Sequence, residues 1–150
     1  MRFVASGSPS PTAYLDASAL VKLVAREDES DALARAVAAI GIVSSGLAEA
    51  ELPRALRRRY ADPEELARAL DRCGRLLARV ALVTVDRDVL SRAAALADPL
   101  LRTLDAIHVA TALELGDEVP TFVSYDARQL DAAAAAGLTV ASPGPAPERS

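Results

Sequence analysis

The chain is 150 residues long, 51% apolar and 25% charged. These values exclude a disordered or fibrous class and fit one globular domain, able to bury roughly 68–70% of the surface its unfolded form exposes. A formal net charge of −4 argues against a general nucleic-acid coat, which relies on excess Lys and Arg, but leaves room for a nuclease with an acidic pocket. Phe3-Val4-Ala5 is too short an apolar run for a secretory signal, and no later stretch is long enough to span a bilayer, so a soluble cytoplasmic protein is expected. The single Cys73 has no partner in the chain and reads as a packing residue in a reducing compartment.

In chain order, residues 1–11 are rich in Ser, Pro and Gly and are expected to be a flexible extension, as are residues 143–150 at the other end. Residues 12–142 between them read as one domain. Thr12–Asp16 is a short apolar strand, and Leu20, Val21, Leu23 and Val24 give helical spacing over 18–25. A second helix is expected over 28–40, stopped by Gly41, followed by a brief strand at 42–44. Helices follow at about 45–60 and 63–79, the latter with Pro63 suited to a first turn. A strand at 80–85, helices at 86–97 and 103–115, a strand at 121–124, a helix at 127–136 and a strand at 138–140 complete the chain. Short apolar strands alternating with helices predict an α/β fold, a central mainly parallel sheet flanked by helices.

Ligands of open parallel sheets bind at the carboxyl ends of the strands. Asp16, Asp86 and Asp126 stand at such ends. Asp86, followed by Arg87 and Asp88, reads as a helix cap. Asp16 is expected to leave capping to Ser18, which is placed to steady its carboxylate. On the helix after Ser45, a step of 100° per residue puts Glu51 inside the stripe formed by Leu47, Ala48, Leu52 and Ala55, with Glu49 about 200° away. Glu51 is therefore the inward carboxylate, unless Pro53 kinks or delays the helix. Asp105 lies in a first turn among apolar neighbours, and His108 one turn on reads as a hydrogen-bonded structural residue. If Asp16, Glu51, Asp105 and Asp126 converge, their mutual repulsion calls for a hard divalent cation, Mg²⁺ or Mn²⁺. Arg57, Arg58, Arg59 and Arg102 are natural phosphate contacts beside such a site.

Tyr14-Leu15-Asp16-Ala17-Ser18-Ala19-Leu20-Val21-Lys22, the stretch Ser45 to Glu51, Leu101-Arg102-Thr103-Leu104-Asp105-Ala106-Ile107-His108-Val109-Ala110, and Ser124-Tyr125-Asp126 together resemble PIN-domain ribonucleases, specifically VapC-type toxins of bacterial toxin–antitoxin modules. The resemblance covers about residues 12–143 and is carried by the four motifs in this order. It implies a PIN-like fold and RNA cleavage with Mg²⁺ or Mn²⁺ held by Asp16, Glu51, Asp105 and Asp126, Glu49 and Asp86 lying outside the set. It also implies a homodimer and a VapB-type antitoxin that blocks the site. The extension before Thr12 and Pro53 depart from the pattern. Two rivals remain: a haloacid-dehalogenase-type phosphatase, which needs a second Asp where this chain has Ser18, and a catalytically weak PIN-like module that binds RNA or protein.

Overall fold

The computed structural model describes residues 11–145, so most of both expected flexible ends lies outside the described residues. Thirteen elements follow one another: β1 (Thr12–Leu15), α1 (Ala17–Lys22), α2 (Ser30–Val37), β2 (Gly41–Ser45), α3 (Ala48–Arg59), α4 (Pro63–Leu77), β3 (Ala81–Val83), α5 (Arg87–Ala94), α6 (Thr103–Leu115), a 3₁₀ turn (Gly116–Glu118), β4 (Phe122–Val123), α7 (Ala127–Ala135) and β5 (Val140–Ala141). The strands form one parallel sheet in the order β3-β2-β1-β4-β5. The order reverses between β1 and β4, which makes their carboxyl ends the switch point where a crevice opens.

The sheet is buried on both faces because side chains alternate along each strand. Ala13 and Leu15 on one face join Leu20, Leu33, Leu52, Leu56 and Cys73 from α1 to α4. Tyr14 on the other packs with Phe122, Val109, Ala112 and Ala133 from β4, α6 and α7, and the Tyr14 and Phe122 rings stack 5.3 Å apart. Cys73 is buried, as a packing residue should be. In α6 every residue from Ala106 to Ala112 is buried, the mark of a helix enclosed on all sides rather than lying on a surface.

Several element ends differ from expectation for local reasons. The first helix stops at Lys22 rather than 25, because Leu23 and Val24 tighten to bonds with Leu20 and Val21. Val24 and Ala25 stay buried beyond it, which is why their spacing read as helix. The helix expected over 86–97 ends at Ala94; Pro99 disfavours helical backbone just before it, and Asp98 instead accepts the Leu100 amide at 2.9 Å. The last strand begins at Val140, because Leu138 and Gly137 donate back to Ala133 and Ala134 and close α7, with Gly137 at φ 97°. Pro53 does not delay α3: the Glu51 amide already bonds the Leu47 carbonyl at 2.9 Å, so the helix is under way two residues before the proline.

Candidate metal centre

Asp16 is the residue that follows β1, and it is 2% exposed. Contrary to expectation it caps α1 itself: its Oδ1 accepts the Ala19 amide at 3.0 Å, and so takes the capping role expected of Ser18. Geometry decides this, since the Asp side chain sits one residue before the first helical position, whereas Ser18 is already inside the helix. Ser18 does steady the carboxylate, donating to Oδ1 at 2.7 Å, while Ser124 at the end of β4 donates to Oδ2 at 2.6 Å. These donors are neutral. Burial therefore outweighs them and holds the Asp16 carboxyl above the usual carboxylate range.

Ser124 ties a second acidic residue to the same point, because its Oγ also accepts the Asp126 amide at 3.1 Å. Asp126 caps α7 through the Gln129 amide at 2.9 Å and remains half-buried. Asp105, in the first turn of α6, faces Asp126 across a shared arginine: Arg102 Nε lies 3.3 Å from Asp105 Oδ2, and its guanidinium lies 3.9 Å from Asp126 Oδ2. Burial raises the Asp105 pKa, Arg102 opposes that, and the charge of Asp126 adds to it. Gln129, itself buried, reaches the Asp105 carbonyl at 3.4 Å and fastens α7 to α6.

Glu51 joins from α3. Its Oε1 is 2.7 Å from His108 Nε2, and His108 Nδ1 is 2.7 Å from the Tyr14 hydroxyl. His108 is 1% exposed, so it is the structural, hydrogen-bonded histidine the sequence suggests, with Glu51 and Tyr14 as partners. Tyr14 is fully buried, and burial drives its phenol pKa far upward. Glu49 is exposed on the opposite side of the helix, as its spacing indicates. Asp86 is exposed three residues beyond the end of edge strand β3, two strands from β1, and caps α5 through the Val89 amide at 2.9 Å.

Indirect links join the four carboxylates, Asp16 to Asp126 through Ser124, Asp126 to Asp105 through Arg102, and Glu51 to a histidine one turn from Asp105. Among the described residues no three His, Cys, Asp or Glu side chains stand ready-made around one ion. The donor set nevertheless fits a hard cation chemically: it is all carboxylate oxygen, it includes a buried carboxylate with only neutral partners, and the neighbouring histidine has both ring nitrogens taken, by Glu51 and Tyr14. A groove of about 610 Å³ between α1 and α3 opens beside it, lined by Ser18, Val21, Lys22, Glu51, Arg54 and Arg58 among others. Of the expected basic cluster, Arg58 lines this groove, whereas Arg59 pairs with Glu27 at 3.0 Å. Ser124 and Tyr14 were not singled out from the sequence. A hydroxyl in an otherwise apolar strand that must find a partner is the signal each offered.

The chain belongs to the PIN domain family, whose model matches residues 13–135. Its relatives are the VapC ribonucleases. It is 48% identical over 131 residues to Ribonuclease VapC46 of Mycobacterium tuberculosis, spanning 87% of this chain and 96% of that protein. It is 43% identical over 138 residues to Ribonuclease VapC35 of the same organism, spanning 89% and 98%. The fold is also that of Mycobacterium tuberculosis VapC20, described as a Sarcin-Ricin loop cleaving toxin, at TM-score 0.64 and 20% identity over 87% of this chain and 98% of that one. Rickettsia felis VapBC2, solved with a DNA fragment from its promoter, matches at TM-score 0.62 and 15% identity over 87% and 98%. Among the described residues no helix is long and apolar enough to cross a membrane.

Proposed function

We propose that this chain is the ribonuclease toxin of a VapBC-type toxin–antitoxin module, cutting RNA phosphodiester bonds with Mg²⁺, or Mn²⁺ in its place, and silenced by a VapB-type antitoxin. The observation that carries the reading is Asp16: a buried carboxylate at the switch point, met only by hydroxyl and amide donors, in a chain 48% identical to a ribonuclease. Such a group is stabilised when a cation neutralises it.

Asp16, Glu51, Asp105 and Asp126 would hold the ion. When bound, a divalent cation supplies Lewis-acid activation of water and of the phosphodiester. The chain's own part is to orient and to neutralise. Ser18, Ser124 and the Ala19 amide fix the Asp16 carboxylate so that it does not reorganise on binding. Arg102 is 79% exposed at its side chain and can turn from Asp105 and Asp126 to a phosphate oxygen, with Arg54 and Arg58 along the groove as further backbone contacts. Contacts of this kind position RNA without reading its sequence.

The groove between α1 and α3 combines Val21, Leu47 and Ala55 with access to Glu51. It suits an amphipathic antitoxin segment whose Arg or Lys pairs with the carboxylates and excludes the metal. A homodimer acting in the cytoplasm completes the proposal. Purified full chain should cleave RNA with Mg²⁺ or Mn²⁺ and stop in EDTA; cleavage by chelated, metal-free protein would rule the mechanism out. Binding of RNA without cleavage under any metal would favour the catalytically weak module instead. Co-expression with the neighbouring small gene should give a complex and relieve growth arrest; absence of both would reject the toxin assignment and leave a stand-alone nuclease.

A further inference from the structure

The buried chain Tyr14–His108–Glu51 serves no function in the proposal above, although each of its links is a 2.7 Å hydrogen bond. We propose that His108 is a positioning residue that holds Glu51 through Nε2–H, and that Tyr14 anchors the far side of the ring by donating its hydroxyl proton to Nδ1. The inference rests on the reading of Glu51 as a metal ligand and says how this chain aims it.

Hydrogen-bond capacity dictates the arrangement. An ionised carboxylate only accepts, so Nε2 facing Glu51 must carry a hydrogen. A neutral imidazole then has Nδ1 as a bare acceptor, and the group that faces Nδ1 is a phenol, which keeps its proton at neutral pH. Of the two neutral tautomers only one satisfies both ring nitrogens; Glu51 selects it and the Tyr14 hydroxyl, able to donate, completes it. Glu51 gains from this because its side chain is long and lies at the lip of an open groove. The His108 contact is its one side-chain hydrogen bond among the described residues, and it leaves Oε2 unengaged. His108 is fixed in turn by α6, buried continuously from Ala106 to Ala112, and its ring meets Tyr14 edge-on with centroids 5.9 Å apart. Outer partners of this kind orient metal ligands and typically govern about 10- to 100-fold in metal affinity.

The chain contains a single histidine, so ¹⁵N-histidine labelling of the full protein, carried on a tag without histidine, reports this ring alone. The expected spectrum shows a hydrogen on Nε2. A bare Nε2, or an average of the two tautomers, would overturn the inference. In Tyr14→Phe the hydrogen should stay on Nε2, since Glu51 still requires it, while the Nδ1 resonance shifts with the loss of its partner; an unshifted Nδ1 would remove Tyr14 from the device. Titration with Mn²⁺ alone gives the second readout. His108→Leu, which keeps bulk and loses the donor, should bind about 10- to 100-fold more weakly. His108→Gln, whose amide can reach the Nε2 position, should recover most of that loss. A role in packing alone predicts the reverse order, Leu tolerated better than Gln. Should His108→Leu fail to fold, the wild-type and Tyr14→Phe spectra still decide. None of these measurements uses RNA, so absence of cleavage would count against the proposed function and leave this inference standing, whereas a wrong tautomer in an active nuclease would sink this inference alone.

Discussion

Asp16 and Asp86 do the same local job in different surroundings. Each follows a strand, and each accepts the amide three residues on, at 3.0 and 2.9 Å. Asp126 makes the same bond at 2.9 Å. Capping therefore does not separate a structural aspartate from a functional one. Position in the sheet separates them: β1 and β4 border the switch point, so their aspartates are drawn beneath helices and toward other carboxylates, while β3 is an edge strand whose aspartate meets water. Water screens Asp86 and leaves it an inexpensive cap. At the switch point the same carboxylate is desolvated, the setting in which the proposed cation would stabilise it.

The widest separation between the two ends should appear in catalysis. Asp16→Asn, which keeps the shape and removes the charge, should lower RNA cleavage with Mg²⁺ by about a hundredfold or more, because metal stabilisation of transition-state charge is worth several kcal/mol. Asp86→Asn should stay near wild type in the same assay. Equal losses would erase the distinction. The second contrast lies within one helix: Glu51→Gln should abolish cleavage while Glu49→Gln retains most of it, and the opposite ranking would show that the wrong glutamate faces the crevice.

Stability gives a third contrast, of opposite sign at the two positions. Burial raises the folded-state pKa of Asp16 above its ordinary value of 3.8, so the folded chain keeps that proton to higher pH than the unfolded chain does. Stability is accordingly lost as pH rises from 3.8 through the raised value, and it stays lowered beyond it. In EDTA at pH 7, Asp16→Asn should melt above wild type, and the advantage should vanish once the pH falls below that window. Asp86→Ala should instead melt lower at neutral pH, since a lost cap costs about 1 kcal/mol. Thermal unfolding across pH tests both, and a neutral-pH melt of Asp16→Asn below wild type would contradict the desolvation argument. The smallest effect belongs to Arg102, an exposed partner of two carboxylates. Arg102→Ala should tighten Mn²⁺ binding by no more than about fivefold, the scale of a surface ion pair, and a loss of affinity would mean that Arg102 helps to build the site.

Much of this layout was legible beforehand because period and punctuation are local. Helix α6 spans Thr103–Leu115 as expected, since its apolar run ends cleanly at Gly116. The inward face of Glu51 followed from an angle count that Pro53 did not disturb. What local rules could not supply was who meets whom. Asp16 and Ser124 are 108 positions apart and His108 and Glu51 57 apart, so their pairing is a product of strand order. The cap fell to Asp16 rather than Ser18 for a subtler reason, because a two-residue shift in helix start decides which side chain reaches the first amides. Strand β5 slipped because the closing turn of α7 consumed Gly137 and Leu138, and a helix end claims backbone groups before a short edge strand does.

The central claim is that the carboxylates at the β1/β4 switch point form a cation site anchored by Asp16. Calorimetric titration of the full chain with Mn²⁺, beside Asp16→Asn and Asp86→Asn, tests it most directly. Saturable binding in wild type and Asp86→Asn, lost in Asp16→Asn, is the expected result. Binding that survives unchanged in Asp16→Asn, or no saturable binding in wild type, would contradict the account.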